Sequence, residues 1–193
     1  MSFASAVRKR EDESWAKLYR GKLTLVDLNL KDAPLRLHCG TDEVFGLQVN
    51  AAEKAFVKIQ KAVVASRADA LVLPLGLGGH IDHVTAREAG LAGRGGEQPL
   101  AFYEELPEAL ELRAAGELES RVGEMAMMLR MELEPVFLGD ARSGEALAVG
   151  VARRRKVAWC YDSQMNEEET AAVSEYVMAY EGRERLWANE VWV

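Results

Sequence analysis

Apolar residues in this chain recur at two spacings, and the pattern changes from one to the other several times. Val7, Trp15, Leu18 and Tyr19 fit one face of a helix over residues 4–20, with Gly21 placed to stop it. Leu23, Leu25 and Val26, flanked by Gly and Asp, predict a strand over 22–28. Asp32, Ala33, Pro34 and Arg36 predict a loop, because the residue before a proline is biased away from helical backbone. Ala52, Ala55, Phe56, Ile59, Ala62 and Val63 return to helical spacing and predict an amphipathic helix over 51–66. The unbroken apolar run at 70–75 predicts a strand buried on both faces, and it leads into a glycine-rich loop and a helix through Arg87 and Ala89. This order predicts an α/β fold with parallel strands, in which ligands bind at the carboxyl ends of the strands. Farther on, Leu100–Tyr103 fits a short strand and 146–158 a helix, while 124–138 carries both periods. Asn166 and Glu169 form the pattern of a capping box, opening a helix with Val173, Tyr176, Val177 and Tyr180 on one face.

Composition narrows the class of protein. The 193 residues are 49% hydrophobic, enough for a proper core and too apolar for a disordered chain. A net charge of −7 argues against general affinity for nucleic acid or anionic membranes. No stretch approaches the roughly 18–20 apolar residues of a membrane span. The charged residues at 8–13 leave no room there for a signal-peptide core. Two cysteines are too few for a disulfide framework, so a cytoplasmic location is expected. With only three histidines, a metal site built mainly on imidazole would need every one.

The densest chemistry follows the buried strand. His80, Ile81, Asp82 and His83 put two imidazoles and a carboxylate on one short segment. Neutral imidazole ligates zinc, a carboxylate can orient an imidazole, and a second histidine can act as acid, base or electrophile. The plainer account is a polar turn in which Asp82 caps the following helix. The glycines at 76–79 complete neither a GxGxxG nor a Walker pattern, and no G-x-S-x-G elbow occurs. Arg153, Arg154, Arg155 and Lys156 read as a solvated helix face, with an anionic substrate or an oligomer contact as alternatives. Met125, Met127, Met128 and Met131 read as adaptable packing, and Trp187 and Trp192 as anchors for the C-terminal tail.

The segment from Pro74, Leu75 and Gly76 through Gly79, His80, Asp82 and His83 resembles the histidine motif of the PIG-L/LmbE-like family, zinc-dependent N-acetylglucosaminyl deacetylases. Other landmarks follow in order. Arg8, Glu11 and Ala16 resemble the family's arginine-bearing helix, and residues 32–36 the loop after its next strand. Tyr103, Glu104, Glu105, Leu106 and Pro107 resemble its aromatic-acidic segment. Tyr161, Ser163 and Gln164, then Glu184, Arg185 and Trp187, resemble its C-terminal signatures. The resemblance implies zinc bound by His83 and a catalytic His80 that polarises the amide oxygen or protonates the leaving amine. It also implies an Asp82 that holds a histidine in place and an Arg8 that reaches the substrate, with Arg10 two residues away as the alternative.

The family's first metal motif, A-H-P-D-D-E, supplies a histidine, an aspartate and the general base, and this sequence does not contain it. The resemblance begins at the family's second major helix. The expectation is therefore a single domain over 1–193, incomplete at its N-terminus. The expected fold is a Rossmann-like three-layer α/β fold with a mostly parallel sheet and no first strand–helix–strand unit, with Met1 either an internal start or the start of a degenerate family member. His38 and Cys39 are the local substitutes considered for the missing ligands, and nothing in the sequence places them near His83. The expected function is deacetylation of N-acetylated amino sugars or their conjugates, impaired in this chain because its zinc site is incomplete. The alternative is a non-catalytic sugar-binding or interaction protein. The expected partners are a small N-acetylated sugar or glycoside and a second copy of the chain in a homo-oligomer, not nucleic acid or membrane.

Overall fold

The computed structural model describes residues 3–19 and 22–192, so the predicted helix stop at Gly21 lies outside the described residues. In chain order the helices and strands are α1 (Phe3–Leu18), α2 (Ala33–Leu37), α3 (Lys54–Ser66), β1 (Leu71–Pro74), α4 (Ile81–Gly93), β2 (Leu100–Tyr103), α5 (Glu108–Ala115), α6 (Leu118–Leu129), β3 (Glu134–Leu138), α7 (Gly144–Ala158), α8 (Glu167–Ala179) and β4 (Glu184–Ala188). Short 3-10 turns occupy Thr41–Val44 and Trp159–Tyr161. The protein is mixed α/β, mostly helical, with an open sheet of four strands in the order β1-β2-β4-β3. Among the described residues no helix is long and apolar enough to cross a membrane. Two compact units emerge: Met1–Asp27 with Leu138–Glu184, and Leu28–Phe137 with Arg185–Val193.

The second unit holds most of the sheet. β1 and β2 run parallel with Leu71 opposite Leu100, whereas β2 and β4 run antiparallel with Phe102 opposite Trp187. The expected mostly parallel sheet is therefore mixed. Its inner strand β4 comes from a segment whose leading Glu184 and Arg185 hide a strand pattern. Arg185 is nonetheless buried, because Nε donates to Glu104 Oε1 at 2.6 Å and the guanidinium lies 4.8 Å from the Trp187 ring centroid. Trp187 Nε1 donates to the same oxygen at 2.7 Å. The core forms around Leu71, Leu73, Leu100 and Phe102 of the strands, Leu75 just past β1, and Leu118, Val122 and Met125 of α6. Burying such side chains is worth about 1.5–3 kcal/mol each.

Three local expectations change. β1 is not buried on both faces: it is an edge strand, and Val72 is 47% exposed. Residues 22–28 form no strand, and Leu23, Leu25 and Val26 are exposed, because a strand needs a ladder partner that its own pattern does not encode. Pro34 does not prevent a helix; it sits in the first turn of α2, where its missing N–H costs no bond and its fixed φ suits the helix. The methionines divide, with Met125 buried in the core and Met127 and Met128 exposed.

The first unit packs α7 against α8, and α1 against the 3-10 turn at Trp159–Tyr161. Asn166 closes the expected capping box, accepting from Glu169 N–H at 2.9 Å while Glu169 accepts from Asn166 N–H at 2.7 Å. Glu11 of α1 is only 4% exposed. It accepts from Ser163 N–H at 2.8 Å and from Gln164 Nε2 at 3.4 Å. Tyr161 donates its hydroxyl to Asp12 at 3.0 Å. The landmarks read in sequence around Glu11 and around Tyr161, Ser163 and Gln164 are thus one hydrogen-bonded cluster.

Candidate functional site

β1 ends at Pro74, and the chain turns through a glycine loop into α4, whose N-cap is His80. The glycines are required by close approaches. Gly76 has φ +73°, and a Cβ there would stand 3.1 Å from Arg87 Nη1. A Cβ on Gly78 would lie 2.8 Å from Glu108 Oε1 and 2.9 Å from its Cγ, closer than a side chain tolerates. Below the loop, Ala33, Val44 and Ile81 form a small second core, with Leu37, Cys39 and Val49 against it. Phe45 and His80 share an isolated antiparallel bridge, and Gly46 N–H donates to Gly79 O at 3.1 Å. The loop is therefore held from both sides.

The two imidazoles come together as the sequence predicts, with ring centroids 5.3 Å apart. The rings of Phe45 and His80 are nearly perpendicular, with centroids 5.4 Å apart. His80 Nδ1 accepts from the Asp82 backbone N–H at 3.1 Å, which leaves Nε2 as the donor of the neutral ring. Through the resemblance, Asp82 was expected to hold a histidine with its carboxylate. Instead Oδ1 takes Arg36 Nη2 at 2.7 Å and Oδ2 takes Ala33 N–H at 3.0 Å, so its carboxylate fastens α2 to α4. Arg36 also pairs with Glu53 at 2.9 Å.

His83 finds a partner that the four-residue motif does not contain. Its Nδ1 stands 3.5 Å from Oε1 of Glu105, a 6% exposed carboxylate that also accepts from Gly76 N–H. The hydrogen bond to Glu105 raises the His83 pKa above its ordinary value. Burial opposes this, and the charges of Glu105, Glu108 and Asp82 add to it. Burial, then the Glu105 charge, pushes Tyr103 up to about 12, so its hydroxyl stays protonated. One further oxygen each of Glu105 and Glu108, both Oε2, is buried without a hydrogen-bond partner, leaving acceptors for a donor group. Glu105 and Glu108 follow β2, the parallel neighbour of β1. The signal that finds them is therefore the strand-end rule applied to the second strand.

Arg8 lies on α1 in the first unit, half-buried, and Arg10 is exposed on the same helix. His38 caps the end of α2 in left-handed backbone at φ 56°, and Cys39 packs against the small core. Among the described residues no three His, Cys, Asp or Glu side chains converge to hold a metal ion. A catalytic zinc takes three protein ligands. Both Asp82 oxygens are engaged, and Glu105 Oε1 is shared between Gly76 N–H and His83. Among the described residues, the donors around His83 do not complete a three-ligand set for zinc. No protein-family model, no curated protein and no solved structure matches this chain.

Proposed function

We propose that the loop bearing His80 and His83 is the amide-facing half of a deacetylase-type site for N-acetylated amino sugars or their conjugates. On this reading, the chain recognises such a sugar and hydrolyses it poorly. The observation that carries the proposal is His83 raised by Glu105 and standing beside a donor-presenting His80 at the carboxyl end of β1. His83, whose protonated form the Glu105 hydrogen bond favours, and the Nε2–H of His80 are donors suited to an acetamide oxygen or a departing amine. The unpaired oxygens of Glu105 and Glu108 suit the hydroxyl and amide N–H groups of a sugar. Hydrolysis of the amide would release acetate and a free amine, but among the described residues no group gathers the ligands for a metal that activates water. The resemblance alone assigns Arg8 to the substrate; the same reading takes the chain as a Rossmann-like three-layer domain and, with its two cysteines, places it in the cytoplasm.

Calorimetry with N-acetylglucosamine and glucosamine tests the reading, alongside a free-amine assay and a zinc titration. The acetylated sugar is expected to bind about tenfold or more tighter, an amide-specific difference of about 1.4 kcal/mol. That preference is expected to disappear in His80→Ala and His83→Ala, with free amine at background and no tight stoichiometric zinc. Equal affinity for the two sugars would remove the amide site. Rapid amine release with tight zinc would instead make the chain an active metalloenzyme. The second reading is a non-catalytic sugar-binding protein, and the amine assay separates the two.

A further inference from the structure

The first unit contains a cavity of about 520 Å³, inside the range of roughly 300–1,000 Å³ typical of small-molecule pockets. One wall is aromatic: Trp15 and Tyr19, at the end of α1, face each other with ring centroids 6.3 Å apart and planes inclined by 22°. The lining is also basic, from Arg153 and Arg154 of α7 and Arg142 of the preceding loop. Gly150 of α7 lines the same cavity, and a Cβ there would meet only Arg142 Nη1, at 3.5 Å. A neighbouring cavity adds Lys17 and Lys156 to the same surface.

The charge of this lining is not balanced. Arg154 is paired with Glu184, whereas among the described residues no ion pair engages the side chain of Arg142 or Arg153. Burial lowers the Arg154 pKa, and although the field of Tyr176 raises it, Arg153 and Arg142 lower it further. Guanidinium groups gathered against one another in a protein of net charge −7 are relieved by an incoming anion. Arginine matches phosphate through paired N–H donors, and flat rings stack on exposed Trp and Tyr.

We propose that this cavity binds a small phosphorylated molecule with a planar ring, of the mononucleotide class, its ring against Trp15 and Tyr19 and its phosphate against Arg142 and Arg153. The basic run at 153–156, read from sequence as a solvated face, thus contributes two arginines to a ligand pocket.

Adenosine monophosphate is the probe, titrated into the full chain by calorimetry, with adenosine and inorganic phosphate as separate arms. One site per chain is expected, with each fragment weaker than the nucleotide by about tenfold or more. Arg153 is exposed and has no ion pair among the described residues, so Arg153→Glu is expected to keep the fold and weaken binding by about tenfold or more. Gly150→Leu replaces a poor helix former and adds bulk to the cavity lining; it is expected to abolish binding with circular dichroism unchanged. Lys61→Glu, the same charge reversal on an exposed position of α3, is expected to change nothing. The proposal fails if the nucleotide does not saturate or if phosphate alone binds as tightly. It also fails if Lys61→Glu weakens binding as much as Arg153→Glu, since the effect is then bulk charge.

Discussion

Glu105 governs how His83 titrates, and the consequence has a sign. The His83 pKa is raised above its ordinary 6.5, chiefly by the hydrogen bond to Glu105. Its stabilising contribution is therefore fully present below pH 6.5 and is lost as the pH rises through the folded pKa. The imidazole is 43% exposed, so solvent screening keeps this contribution small. Proton NMR of the histidine rings is expected to give His83 a midpoint above 6.5, and Glu105→Gln to move it down while retaining an acceptor for Gly76 N–H. An unchanged midpoint would show that another group holds the proton. The closeness of His80 and His83 was legible in the sequence, because a three-residue separation at a helix start keeps both near one end. The partner of His83 was not legible, since Glu105 stands 22 positions later and reaches it only because β2 lies beside β1. Neither account of Asp82 contained the contacts its carboxylate makes, with Ala33 N–H at the start of α2 and with Arg36, while the N-cap of its own helix is His80.

At the scale of elements, propensity and packing pull in opposite directions. Gly90 lies inside α4, where alanine would gain about 1 kcal/mol of helix propensity. A Cβ at that position would stand 2.5 Å from Leu73 Cδ2 and 2.9 Å from Cδ1. Leu73 is in the core, so it cannot swing away freely, and overpacking costs about 1–3 kcal/mol. Gly90→Ala is therefore expected to be destabilising by about 1 kcal/mol, read as a lower urea midpoint, whereas a rise would mean that Leu73 repacks without strain. The helices were the most legible elements: α3, α7 and α8 begin or end within a few residues of their patterns. The short strands were harder. β2 matches its pattern, 22–28 shows a similar one and forms nothing, and β4 forms without an evident one. Pairing partners decide between these outcomes, and each partner lies far away along the chain.

Over the whole molecule, buried charge sets two expectations. Arg185 is held by Glu104 in the core, with a second bond to Glu119 at 3.1 Å. Arg185→Leu leaves the Glu104 carboxylate buried without its cation and is expected to destabilise by about 3–5 kcal/mol. Adding Glu104→Leu should restore most of that, and the comparison of urea midpoints measures it. In the first unit, burial would raise the Glu11 pKa, but hydrogen bonds from Ser163 and Gln164 outweigh it and hold the group below its ordinary 4.5. That contribution is present above pH 4.5 and is lost as the pH falls through the folded pKa, so Glu11→Gln is expected to flatten the acid side of the stability profile. An acid limb as steep as that of the parent chain would assign it to other carboxylates. The sequence by itself determined the α/β class, most helices, the glycine loop and the nearness of His80 to His83, because these depend on period and on neighbours along the chain. Only the tertiary structure decided the mixed sheet, Glu105 as the partner of His83, the commitment of Asp82 to Arg36, and the arginine pocket beside Trp15 and Tyr19. Each of these joins side chains far apart in the chain, and local pattern carries no information about which distant surface will meet them.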